Sequence, residues 1–343
     1  MKLLLIDGNS LFHRAYHALP PLSDKTGVNA NAVFGFSNML LKAIGEIKPD
    51  FIACAFDTAA PTFRHVEFEK YKAQRPSPPP DLYPQLPKVK KVLDAFDIPY
   101  FEKEGYEADD LIATIASKAI SPLVIARSKA TKQSKKRKIA TSLDKLGTRN
   151  DNVVDQVIIL SGDRDVLQLV DGDVKVQMPG WNMRETTLFG AKEVKEKYGL
   201  EPHQMVDYKS LIGDPSDNVP GISGIGPKTA SALLQKYHTL ENLFKHISET
   251  SEIVRSKLEV GREIALAAKR LVELDRDVDI GFKIDDLRFS PDWERVRQEY
   301  EQLGFKSIVG KIPGTKGSNG PFDKTQGEPK EPKDKNSDQL ELI

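Results

Sequence analysis

The chain has 343 residues, with 50 Lys+Arg against 50 Asp+Glu, so its formal net charge is zero. About 150 residues per domain makes this roughly two domains, and 39% hydrophobic residues with 23 glycines exclude a wholly disordered or collagen-like chain. A single cysteine, Cys54, excludes an internal disulfide and a cysteine-based zinc site and fits a reducing compartment. Zero net charge also argues against a simple basic nucleic-acid binder, unless the charges are segregated along the chain.

The opening MKLLLIDGNS lacks the apolar run of a signal peptide, and no 18-residue apolar run is present to span a membrane. Residues 2–6 (KLLLI) read as a buried strand that stops at Asp7-Gly8. Val33, Phe36, Met39, Leu40, Ala43, Ile44 and Ile47 recur at helical spacing, so 31–47 is predicted as a helix closed by Pro49. Residues 51–56 (FIACAF) are a second apolar strand, ending at Asp57. A basic and aromatic stretch follows, with Arg64, His65, Phe68, Lys70, Tyr71, Lys72 and Arg75, and then six prolines between Pro76 and Pro87. Residues 88–96 are predicted helical, 98–101 (IPYF) a short strand, and Glu107–Ala119 a helix with acids in its first turn. Residues 157–161 (VIILS) make a third apolar strand, ending at Gly162-Asp163. Strands alternating with helices imply a parallel sheet covered on both faces. After about residue 180 the strand signal fades, and 191–309 read mostly as helices, among them Ala230–Tyr237 and Ile264–Leu274.

Two segments stand apart in composition. Within 121–155, the stretch Arg127 to Arg149 holds nine Lys/Arg and one Asp, with little periodicity, and reads as a flexible basic insertion; a basic arm for DNA is the functional alternative. Residues 312–343 carry four prolines among Gly, Lys, Asp, Glu, Asn and Ser, and read as a disordered tail.

Asp7, Asp57 and Asp163 each follow a predicted parallel strand directly. In open parallel sheets the site lies beyond the carboxyl ends of the strands, so the three gather at one edge. Asp165, the helix-opening Glu107, Asp109 and Asp110, and the pair Asp214 and Asp217 of GDPSDNVPG add further carboxylates. Each has an ordinary local reading as turn residue, cap or helix-dipole partner. The joint placement points instead to a cation site, because clustered carboxylates repel unless cations lie among them. Oxygen donors without cysteine or a histidine cluster favour Mg²⁺, with Mn²⁺ as substitute. Two such ions about 4 Å apart activate water and stabilise a leaving oxygen on a phosphodiester. Residues 219–229 (VPGISGIGPKT) precede a helix. Gly221, Gly224, Gly226 and Lys228 form the pattern of a helix–hairpin–helix that grips a phosphate backbone, beside the alternative of a plain glycine-rich turn.

Together LLLIDGNSLFHRAYHALPPL, FDTAAPTFRHVEFEKYKAQRP, YEADD, LSGDRDVLQLV and GDPSDNVPGISGIGPKTA, in this order, resemble the 5′-3′ exonuclease and flap endonuclease family, which includes the 5′ nuclease domain of bacterial DNA polymerase I. The resemblance covers about 1–310 apart from the insertion. It implies an α/β, PIN-like nuclease core (1–180) with a helical arch at about 64–100, then a helix–three-turn–helix DNA-binding part (181–311). It implies a first metal site of Asp7, Asp57, Glu107 and Asp109, and a second of Asp110, Asp163, Asp165, Asp214 and Asp217. Lys72 and Arg75 would contact the scissile phosphate, Arg14 and Arg64 would support the backbone, and Tyr71 would stack on a base. Gly221 to Lys228 would track the duplex around a monovalent cation such as K⁺. The implied activity is Mg²⁺-dependent hydrolysis of DNA and RNA primers at 5′ flaps, nicks and gaps, in replication and repair, by a free-standing monomer of the bacterial cytoplasm and nucleoid. The final Gln339, Leu340, Leu342 and Ile343 resemble the peptide that bacterial sliding-clamp partners insert into the clamp. Two rivals stand beside this reading: a PIN-type ribonuclease on single-stranded RNA, and a non-catalytic junction binder.

Overall fold

The structure is a computed structural model, and it describes residues 1–133, 153–180 and 185–314. Six strands form one sheet in the order β3-β2-β1-β4-β5-β6. They are β1 (Lys2–Asp7), β2 (Phe51–Ala55), β3 (Tyr100–Phe101), β4 (Gln156–Leu160), β5 (Val174–Pro179) and β6 (Thr186–Phe189). All neighbours pair parallel except β5 with β6. The expected sheet is present, with an antiparallel edge that the sequence reading lacked.

The central strand β1 is apolar on both faces because both faces are covered. Leu3 and Leu5 point to one core and Leu4 and Ile6 to the other, as the period of two requires. Burying each of these side chains is worth ~1.5–3 kcal/mol relative to exposure. On the Leu4 face pack α1 (Gly8–Ala18), α2 (Asn31–Ile47) and α4 (Leu86–Ala95). Helix α2 has the predicted bounds; it ends where Lys48 turns left-handed, with φ 51°. Between α2 and α4 lies α3 (Phe63–Glu67). The segment expected as a helical arch is α-helical only at its two ends, α3 and α4. The prolines Pro76, Pro78, Pro79 and Pro80 lack the N–H a helix needs and push their predecessors out of helical φ/ψ.

On the Leu3 face packs α5 (Ala108–Gln133), which runs well into the segment read as an irregular insertion. Residues 134–152 of that segment lie outside the described residues. Helices α6 (Ala191–Tyr198), α7 (Met205–Ile212), α8 (Pro227–Tyr237), α9 (Leu240–Lys245) and α10 (Glu252–Val272) follow, and α7 to α10 share the core of the Leu3 face. The last two helices, α11 (Trp293–Leu303) and α12 (Lys306–Val309), return to the opposite face. There Val296, Tyr300, Leu303 and Ile308 pack with the residues of α2 and α4. Two expected boundaries therefore shift. Residue 180 cuts the β5–β6 hairpin, and the final helices expected with the helical part belong with the sheet. No helix of the described residues is long and apolar enough to cross a membrane.

Candidate metal and phosphodiester site

Parallel pairing of β2, β1 and β4 brings their carboxyl ends together, with Asp7 registered against Ala55 and Ile6 against Leu160. Asp7 caps α1, accepting from the Ser10 N–H at 2.9 Å, and also accepts from Ser161 Oγ at 2.5 Å. Burial pushes its carboxyl up to about 7 against those two bonds, and neighbouring Asp57 and Asp163 add to the rise. Asp57 accepts from Asn9 Nδ2 at 2.8 Å and from the Ala108 N–H, in the first turn of α5, at 2.7 Å. Burial raises Asp57 as well, with Glu107 contributing. Asp163 accepts from the Asp165 N–H at 2.9 Å; burial raises it while Lys209 opposes. Asp109 rises well above the carboxylate range through burial and the charges of Asp7 and Asp163.

These four carboxylates and Glu107 line one cavity of about 690 Å³. Lys72, Arg75, Arg14, His13, His17 and Tyr83 share its wall. Of the histidines, His13 and His17, one helical turn apart on α1, stack at 6.4 Å. Arg14 is tied to the end of β5 through the Pro179 carbonyl at 2.7 Å.

A second carboxylate group consists of Asp165, Asp214 and Asp217, whose oxygens lie within 4.8 Å of one another. It joins the cavity wall through its basic partners. Lys72 Nζ donates to Glu107 at 2.7 Å and lies 3.8 Å from Asp217, while Arg75 donates to Asp217 at 2.5 Å. Burial lowers the Lys72 pKa less than Glu107 and Asp217 raise it, so the ammonium stays charged. Burial likewise raises Asp214, but Lys209 and Ser216 outweigh it and hold the carboxyl low. Lys72 itself has φ 54° and Asn218 φ 59°, left-handed conformations that side chains disfavour. The two turns hold each other there: Lys72 N–H donates to the Asp217 carbonyl at 2.9 Å, and Asn218 Nδ2 to the Lys70 carbonyl at 2.7 Å. Strain of this kind clusters at functional sites.

Three sequence expectations do not fit this geometry. Asp110, expected as a metal ligand, is fully buried, and both its oxygens are taken by Arg64, the Glu107 N–H and the Asp275 N–H. Arg64, expected on the DNA backbone, is 1% exposed and also donates to the Leu271 and Glu273 carbonyls, so no donor faces solvent. Tyr71, expected to stack on a base, is buried against Val206, Val219 and Leu271, and its hydroxyl lies 3.1 Å from both the Glu107 and the Asp217 carboxylate, sharing one proton between them. The sequence reading also missed three residues. Asn9, two after Asp7, and Ser161, two before Asp163, hold the cavity carboxylates, and Lys209 bridges Asp165 and Asp214.

The hairpin expected to grip phosphate precedes α8. Gly221 is forced by close approach: a Cβ there would stand 2.1 Å from the Ile212 carbonyl carbon. Gly224 has φ +78°, and its carbonyl accepts from Lys257. Gly226 caps α8 and faces open space, and Lys228 is exposed beside it. Gln339, Leu340, Leu342 and Ile343 lie outside the described residues.

The donor set of the two groups is all carboxylate oxygen, which suits a hard divalent ion. Asp7, Asp57, Asp109, Asp163 and Glu107 would hold it in the cavity, and Asp165, Asp214 and Asp217 in the second group.

Comparison with known proteins agrees with this architecture. Residues 2–133 match the model for the 5′-3′ exonuclease N-terminal resolvase-like domain, and 200–295 match the 5′-3′ exonuclease C-terminal SAM fold. DNA polymerase I of Caldicellulosiruptor bescii is 39% identical over 316 residues, covering 91% of this chain and 33% of the relative. That of Bacillus subtilis is 36% identical over 313 residues, covering 91% and 32%. The chain thus spans about a third of the length of these relatives. The bacteriophage T5 D15 flap endonuclease, solved with DNA and metal ions, aligns at a TM-score of 0.60 and 16% identity, covering 89% of this chain and 100% of that one. The catalytic core of Rad2 with DNA substrate aligns at 0.51 and 18%, covering 90% and 91%. At such identities these two likenesses speak for the fold. The two family models and the sequence relatives go further: the chain belongs to the 5′-3′ exonuclease family of nucleases.

Proposed function

We propose that the chain is a Mg²⁺-dependent, structure-specific nuclease that hydrolyses DNA and RNA-primer phosphodiesters at 5′ flaps, nicks and gaps. The observation that carries this reading is the meeting of Asp7, Asp57 and Asp163, from three adjacent strand ends, in one cavity with Asp109, Lys72 and Arg75. Divalent ions held there would supply Lewis acidity toward a phosphate oxygen and a more acidic bound water. The chain's own residues do the rest. Lys72 and Arg75 place two cations at the cavity wall, where a phosphate would enter. Ser161, Ser10 and Asn9 fix the carboxylate orientations by hydrogen bonds. The sheet part performs catalysis, and the helical part grips the duplex through the hairpin from Gly221 to Lys228, with a monovalent cation on its carbonyls.

Labelled 5′-flap DNA and single-stranded RNA, each with Mg²⁺ or chelator, test the reading with the unaltered chain and Asp163→Ala. The expected result is flap cleavage only with Mg²⁺, abolished by Asp163→Ala, and RNA left intact. Metal-independent flap binding without cleavage would support the junction binder instead, and cleavage of the RNA alone the ribonuclease. The setting proposed is primer removal and repair by a monomer in the bacterial cytoplasm and nucleoid, with residues 339–343 docking on the sliding clamp. A pull-down comparing the chain with one cut after Asp338 tests the docking, and equal retention refutes it.

A further inference from the structure

The two carboxylate groups differ in how their charge is balanced. Among the described residues, Asp7, Asp57, Asp109 and Asp163 form no ion pair within 4.0 Å; the partners of Asp7, Asp57 and Asp163 are one hydroxyl, one side-chain amide and three backbone N–H groups. The second group is covered by bases. Lys209 Nζ pairs with Asp165 and donates to Asp214 at 2.7 Å, while Arg75 and Lys72 cover Asp217. Lys209 is set on a packed helix, α7, five residues before Asp214, and its own carbonyl accepts from the Gly213 N–H at 2.7 Å. Its side chain is 17% exposed, so the ammonium is largely withdrawn from water.

Resting on the metal-site reading above, we propose that Lys209 is a built-in counter-ion of the second carboxylate group. Its ammonium sits between Asp165 and Asp214 in the metal-free chain and competes with a divalent ion for them. The two groups then load in order. The four cavity aspartates take an ion first, because they have no side-chain ion pair to break. An ion at Asp165, Asp214 and Asp217 must displace Lys209, so it binds at a higher concentration. Two like charges a few ångströms apart in a partly desolvated site repel strongly enough to shift an affinity about tenfold or more. Lys209 is thus a positioning residue, acting through the carboxylates it holds.

Mn²⁺ titration of the full chain, followed by the loss of the free-ion electron paramagnetic resonance signal, reads both groups without any catalytic assay. The unaltered chain is expected to show two classes of Mn²⁺, the second about tenfold or more weaker. Lys209→Met keeps the side-chain length and removes the charge; it should tighten the second class toward the first and lower the melting temperature in chelator. Lys209→Arg keeps the charge and should keep the second class weak, which separates a charge effect from a packing effect. A second class unchanged or weakened in Lys209→Met, with the circular dichroism of the unaltered chain, overturns the role of Lys209 alone. Absence of Mn²⁺ binding by the unaltered chain overturns the metal site and this proposal with it.

Discussion

Arg64 and Asp110 meet as a buried two-pronged ion pair, with Nη1 and Nη2 donating to the two carboxylate oxygens at 2.7 and 2.8 Å. The pair fastens α3 to the first turn of α5, and the Leu271 and Glu273 carbonyls fasten the end of α10 to the same guanidinium. It therefore locks the sheet part to the helical part behind the cavity. Removing one partner leaves a buried charge uncompensated, which costs ~3–5 kcal/mol. Asp110→Ala should lower stability by that order in urea titration. Arg295→Ala, which breaks the exposed pair with Asp97 at 2.7 Å, should cost ~0–1 kcal/mol. Equal costs would show that the Arg64 pair is not the buried lock described.

The raised cavity carboxylates predict a stability that depends on pH and metal together. Asp7 has an ordinary value of 3.8 and a folded value of about 7. The folded chain therefore holds this proton more tightly than the unfolded chain. In chelator its contribution is full below about 3.8 and is lost as pH rises through about 7. Asp57, Asp109 and Asp163, also raised, act in the same direction. Metal binding needs the ionised forms, so affinity should rise with pH over that range and release protons. Urea midpoints from pH 5 to 8 in chelator should fall, and Asp7→Asn, which keeps the α1 cap, should flatten the slope. A midpoint that rises with pH in chelator would contradict the assignment.

The central strands and their aspartates were legible because β1, β2 and β4 are continuous apolar runs, each followed closely by an acid, and parallel pairing admits one arrangement of their ends. Helix α2 was legible because its apolar period is unbroken up to Pro49. Strand β6 was not: it has four residues on an edge, with Leu188 45% exposed, and so carries no hydrophobic pattern. The extension of α5 was missed because Pro122, which usually stops a helix, lies inside it, and residues 127–133 (RSKATKQ) carry no apolar stripe. The inward turn of Arg64 was illegible for a different reason. Its partner lies 46 residues away, and an arginine in a basic stretch looks the same whether it meets DNA or a buried carboxylate. The return of α11 and α12 is likewise a long-range packing event that no local pattern announces.

Lys72 should separate chemistry from binding. Its Nζ is on the cavity wall, 2.7 Å from Glu107, whereas its N–H serves the clasp to Asp217 and survives any side-chain change. Lys72→Ala should therefore keep the two turns together and lower single-turnover flap cleavage by about 10²–10³-fold, the usual size for one group that stabilises developing charge. Flap affinity measured in chelator should change much less. A loss confined to affinity, with the single-turnover rate intact, would make Lys72 a binding residue only.

Gly221 and Gly226 lie in the same hairpin but should respond oppositely to alanine. At Gly221 the added Cβ would stand 2.1 Å from the Ile212 carbonyl carbon and 2.3 Å from its oxygen. Both are backbone atoms, so no rotamer change relieves the clash. The N–H of Ile222, which donates to the Leu211 carbonyl at 2.8 Å, would be displaced with it. Overpacking of this kind costs ~1–3 kcal/mol or more, and the hairpin must open away from α7. Gly226 has φ −93° and ψ 179°, an extended conformation open to any residue, with no heavy atom within 4 Å of the added carbon. Gly221→Ala should weaken duplex affinity by about tenfold, equivalent to ~1.4 kcal/mol, and lower the melting temperature. Gly226→Ala should leave the melting temperature unchanged. If Gly226→Ala also loses affinity while remaining as stable, the open space beside it is where the phosphate backbone sits, since a methyl group there can obstruct only a ligand.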